Sequence, residues 1–145
     1  MSKNSRIANK SQRTLGLKKG VSYNEDAMSN YKKKFAISFE YLDRNQGQTF
    51  EDWEKEGLLL NLLNTIRDYC CKTMQENKGT NFKEYGHFPS KTEFKHPKHV
   101  PKDVSWASLH LAGRPCLGGH IYENIFYVVF LDKDHKFWIS EKKHT

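Results

Sequence analysis

Hydrophobic and polar positions alternate where the folded part of the chain begins. Phe35, Ile37, Phe39 and Tyr41 fall on one side of a period-two pattern, and Ala36, Ser38 and Glu40 on the other. That alternation predicts a half-buried strand. Residues 43–48 predict a loop with Gly47 at its bend. From Thr49 the period changes. Leu59, Leu62, Leu63, Ile66 and Cys70 recur at helical spacing, beside a second stripe of Trp53, Gly57, Leu60 and Asn64. Thr49 predicts an N-cap, with Asp52 at the acidic position of a capping box. Glu51, Asp52 and Glu54 load the first turn with the charge that the helix dipole favours. The helix should end near Met74 or Gln75, with a break near Gly57 that divides it in two.

Pro89, Pro97 and Pro101 exclude a continuous helix or central strand from residues 77–104. A short helix around 80–86 is the one element predicted there. Four strand patterns follow, at 106–112, 116–122, 125–131 and 136–140. Links this short between consecutive strands make antiparallel hairpins. The third pattern is apolar on both faces and belongs inside the sheet. The fold class is α+β: an N-terminal strand, one long or two short helices, then a four-stranded antiparallel meander.

Charge divides the chain in two. Residues 1–34 hold nine Lys or Arg against Glu25 and Asp26, whereas residues 35–145 hold fifteen basic and fifteen acidic side chains. The whole +7 of the chain therefore lies in its first 34 residues. This polar, basic stretch cannot bury enough apolar surface to offset ordering, so residues 1–34 predict a flexible arm and residues 35–145 a single α+β domain. Lys18, Lys19, Lys32, Lys33 and Lys34 are its candidate nucleic-acid contacts; a solubilising tail is the alternative. Three cysteines without regular spacing argue against a disulfide framework. No apolar run approaches the ~20 residues of a membrane span, and the basic N-terminus lacks the apolar core of a signal peptide. A cytoplasmic protein is expected, without a membrane partner.

Face polarity suggests which side chains meet. A three-residue link at Gly113-Arg114-Pro115 would pair His110 with Gly118 and Ser108 with His120. A two-residue turn at Glu123-Asn124 would pair His120 with Tyr127. His110, His120 and Tyr127 would then share one patch, with Gly118 and Gly119 leaving room above the sheet and Arg114 at the hairpin tip. Two histidines, a tyrosine and an arginine are parts for acid–base work on a phosphodiester. Half-exposed strand histidines with local partners are the structural alternative. Residues 132–135, Asp-Lys-Asp-His, carry turn chemistry, so their first task is to reverse the chain. His135 and Lys136 are secondary catalytic candidates. His96 and His99 stand close in sequence but have no companion Cys or His motif, so no metal and no cofactor is predicted.

The order strand, helix pair, antiparallel sheet resembles the RelE/HigB-like fold of small bacterial toxin ribonucleases. That resemblance is architectural. It implies messenger RNA cleavage on the ribosome and a cognate antitoxin. The run Trp106-Ala-Ser-Leu-His110, Gly113-Arg-Pro115, Gly119-His-Ile121 and 126–137, with 47–53 upstream, is similar to a family of short bacterial proteins that brings no activity with it. The leading expectation is an RNA-binding protein acting as a metal-independent, toxin-like endoribonuclease through His110, His120, Arg114 and Tyr127. The alternative is a non-catalytic module that binds protein or nucleic acid.

Overall fold

The computed structural model describes residues 33–140. Its strands and helices follow in the order β1 (Ala36–Ser38), α1 (Phe50–Lys55), α2 (Leu59–Tyr69), α3 (Met74–Asn77), β2 (Phe82–Gly86), β3 (Ser105–His110), β4 (Cys116–Tyr122) and β5 (Ile125–Asp132). The five strands form one sheet in the order β1-β5-β4-β3-β2. Strands β2 to β5 make an antiparallel meander, and β1 adds to β5 in parallel, Ala36 opposite Ile125. The class is α+β as expected, but the sheet is mixed and its composition differs in two places.

The segment at 80–86 is strand β2, not a helix. It carries Lys83 and Glu84 at exposed positions and buries only Phe82 fully. A charged edge strand leaves little apolar alternation to detect. Conversely, residues 136–140 form no strand. They fold back over the sheet, where Glu93 N donates to Lys136 O (3.1 Å) and Ile139 N to Lys91 O (3.4 Å).

The start of the first helix and the break after it follow local signals, but α2 ends at Tyr69 and a separate α3, capped by Thr73, stands where the same helix was expected to run on to Met74 or Gln75. Thr49 Oγ1 accepts from Asp52 N (3.0 Å), while Asp52 Oδ2 accepts from Thr49 N (2.9 Å). Gly57 takes φ +74°, a left-handed conformation that favours glycine, and separates α1 from α2. Leu62 is buried on α2, but Leu60 and Leu63 are exposed, so the apolar stripe is narrower than the sequence suggests.

Each face of the sheet has its own core. Helices and α–β links cover the first, where Trp53, Leu62 and Phe82 pack on Leu109, Leu117 and Phe126. The second is covered by the proline-bearing segment between β2 and β3 and by residues 133–140. There Val100, Trp106, Val129, Phe130 and Phe137 close together, with Phe88, Phe94 and Trp138 around them. Burying aromatic area on both faces gives this small sheet its stability.

Candidate functional site

The second face carries polar groups at its two ends. At one end, His110, Cys116 and Asp132 form a row across three strands: His110 is opposite Cys116, and Cys116 is opposite Asp132. Asp132 is buried and organises the turn that follows β5. Its Oδ1 accepts from Lys136 N (2.8 Å), and its Oδ2 accepts from Phe137 N (2.8 Å) and from the Cys116 thiol (3.4 Å). His135 adopts φ +62° in this turn. Its ring is thereby laid back over the row, and its Nε2 lies 2.7 Å from Nε2 of His110. The rings are nearly parallel, with centroids 4.7 Å apart.

One ring nitrogen each of His110 and His135 and the Sγ of Cys116 lie within 4.8 Å of one another. Burial, then the charge of His135 and of Lys83, holds the His110 imidazole below its usual range. Burial, with the neighbouring Asp132 carboxylate, raises the Cys116 thiol far above its usual range. Lys83 on β2 and Arg114 in the β3–β4 link are exposed and form no ion pair among the described residues.

At the other end, His120 pairs with Tyr127 as the sequence predicts, but it is only 4% exposed. It is packed by Tyr127 (ring centroids 5.1 Å), Tyr41 (5.2 Å) and Trp106 (5.8 Å). Its Nε2, like Nε2 of His96 and the indole N–H of Trp106, is buried without a hydrogen-bond partner among the described residues. Burial, then the charge of His96, lowers its pKa to about 4. Beside it opens a hollow of about 510 Å³ lined by Tyr41, Tyr122, Tyr127, Ser105 and Asp103, among others. Tyr122 is 65% exposed at its rim.

The acid–base patch expected from the sequence is therefore divided. The link between β3 and β4 has five residues rather than three. Leu111 N donates to Pro115 O across it (2.9 Å). The pairing moves by two residues, so His110 faces Cys116, Ser108 faces Gly118 and Trp106 faces His120. His110 and His120 keep the same face, as predicted, but His110 is level with Cys116, four residues from His120 along β4 and roughly 13 Å away at about 3.3 Å per residue.

Nor do the glycines leave room for a ligand. A Cβ on Gly118 would lie 2.9 Å from the ring of Phe137, and one on Gly119 would meet the carbonyl oxygen of Tyr127. They admit an aromatic ring and a bulged neighbouring strand. Arg114 is exposed in the β3–β4 link, and Tyr127 belongs with His120. His135 joins His110, whereas Lys136 turns to Glu93 (3.3 Å). Lys18, Lys19 and Lys32 lie outside the described residues; Lys33 and Lys34 are exposed.

Cys116 and Asp132 escaped the sequence reading because only the cross-strand register brings them to His110 and His135. Tyr41 and Tyr122 were readable as aromatic positions but not as the walls of one hollow. His96 and His99 do not converge on a common point: His96 Nδ1 meets Pro97 O (3.0 Å), and His99 Nε2 meets Tyr41 O (2.8 Å). No protein-family model matches the chain, and neither a curated protein nor a solved structure matches it. None of the described helices is long and apolar enough to cross a membrane.

Proposed function

We propose that the protein binds single-stranded RNA at the end of the sheet where β4 turns into β5. The observation that carries this reading is a coincidence of place. The basic stretch enters the sheet at Lys34, whose carbonyl accepts from Asn124 Nδ2 (2.8 Å) in that turn. The aromatic hollow with exposed Tyr122 opens beside the same turn. Single strands are held by this combination, cations tracking the phosphates and aromatic rings stacking on bases. The lysines of residues 1–34 supply the charge, and Tyr41, Tyr122 and Tyr127 supply ring faces. Asp103 and Ser105, whose hydroxyl donates to Glu84, also line the hollow and offer acceptors to a ribose 2′-hydroxyl. The patch that cleavage would need is not assembled from His110, His120, Arg114 and Tyr127, so binding rather than endoribonuclease action is the proposal. A ribosome or an antitoxin would be partners to test after binding is measured.

The test is fluorescence anisotropy of a labelled single-stranded RNA over a range of salt concentrations. Affinity should fall with salt, because phosphate contacts release counterions. Tyr122→Ala should weaken binding by about 1–3 kcal/mol. Replacing Lys33 and Lys34 by Glu in the full chain should reduce the salt slope. Salt-independent binding, or binding unchanged in both variants, would reject the reading.

A further inference from the structure

We infer that His110, Cys116 and His135 form a binding site for one divalent, zinc-type transition-metal ion, at the end of the sheet away from the proposed RNA contact. Three donors from separate places in the chain converge here: the end of β3, the start of β4 and the turn after β5. Their ligand atoms already lie within 4.8 Å of one another. Tetrahedral zinc takes imidazole nitrogen at about 2.0–2.1 Å and thiolate sulfur at about 2.3 Å, which sets two nitrogens about 3.3 Å apart. The two Nε2 atoms stand at 2.7 Å. A small outward rotation of the His135 ring opens that gap, and His135 is in a turn and half-exposed. A set of two imidazoles and one thiol suits zinc or cobalt better than the hard, oxygen-seeking magnesium and calcium ions.

A second observation also points to a cation. Asp132 is 1% exposed and forms no ion pair among the described residues; its acceptors meet two backbone N–H groups and the Cys116 thiol. A buried carboxylate without a counter-charge is costly. A divalent ion balances it. On binding, Cys116 loses its thiol proton to solvent and becomes a thiolate. The ion's two positive charges then match one thiolate and one carboxylate. Asp132 gives up the hydrogen bond from the Cys116 thiol on that step but keeps the backbone N–H groups of Lys136 and Phe137, so it positions the turn that carries His135 rather than ligating the metal. Three protein donors leave a fourth position of a tetrahedral ion for water or a small anion. The site is independent of the RNA reading, because it shares no residue with the hollow at Tyr122.

The experiment uses the full chain, stripped of metal with a chelator and titrated with cobalt(II). One equivalent should bind, with an intense near-ultraviolet sulfur-to-cobalt band and visible bands of tetrahedral strength, and zinc should displace it. His135→Ala, in a half-exposed turn, should weaken binding at least about 100-fold, beyond the loss typical of an outer-shell partner. Cys116→Ser should remove the sulfur band. Circular dichroism identifies a variant that has not folded, and His110→Gln then serves as the second ligand deletion. No binding by the wild type, cobalt bands lacking sulfur character, or equal binding by the folded His135→Ala protein would each overturn the assignment. RNA affinity measured on the same samples reads the other proposal separately.

Discussion

His110 and His120 stand on one face of one hairpin, yet they occupy opposite environments. His110 is half-exposed and meets a second imidazole, a thiol and, through it, a buried carboxylate. His120 is sealed beneath Tyr41, Tyr127 and Trp106, its Nε2 unpartnered. Residue type and strand face are the same. The difference comes from what is folded over each: a tight turn at one end, and at the other the segment before β3 together with Tyr41 from beyond β1. A strand histidine is thus a potential ligand or a packing group according to segments far from it in sequence.

The largest effect should come from the ring that holds the closed end together. Trp106 is 1% exposed and packs against His96, His120, Phe130 and Phe137. Trp106→Ala should lower unfolding free energy by about 3–5 kcal/mol in urea titration. An effect below about 1 kcal/mol would mean that this face is not a packed core.

The next effect is acid sensitivity. His120 has its pKa lowered to about 4 by burial and by the charge of His96. Unfolded, it titrates near 6.5. Between these values the unfolded chain binds the additional proton, so stability is full above about pH 6.5 and falls as pH drops toward 4. The loss should be roughly 2–3 kcal/mol, and His120→Phe should flatten it. An unchanged pH profile in that variant would place the sensitivity elsewhere.

The smallest effect marks the open end. His110→Gln, measured without added metal, should change stability by less than about 1 kcal/mol, because the ring is half-exposed and its hydrogen-bond partner, His135, is itself a half-exposed turn residue. A loss as large as that of Trp106→Ala would erase the contrast between the two ends.

Much of the local structure was legible. The capping box at Thr49 and Asp52, the break at Gly57 and the turn at Glu123-Asn124 each depend on neighbours a few residues apart. Edge strand β2 was not legible, because Lys83 and Glu84 face solvent and obscure its alternation. The β3–β4 register was half legible. Face polarity fixes a register only in steps of two, and a five-residue link satisfies it as well as the three-residue link. That step of two decided the site, replacing the expected neighbour of His110, Gly118, by Cys116. The return of residues 136–140 across the sheet depended on Asp132 collecting the backbone N–H groups of Lys136 and Phe137, and on Phe137 filling the space over Gly118.

By itself, the sequence determined the α+β class, the capped start of the first helix and the break at Gly57, the alternating faces of the strands and the placing of all net charge in residues 1–34. Those properties follow from short-range spacing, capping and composition. Tertiary structure alone decided the mixed sheet, the covering of its second face, the burial of His120 and the convergence of His110, Cys116 and His135. Each depends on contacts between segments far apart in the chain, whose free energy belongs to the packed arrangement and to no single stretch of residues.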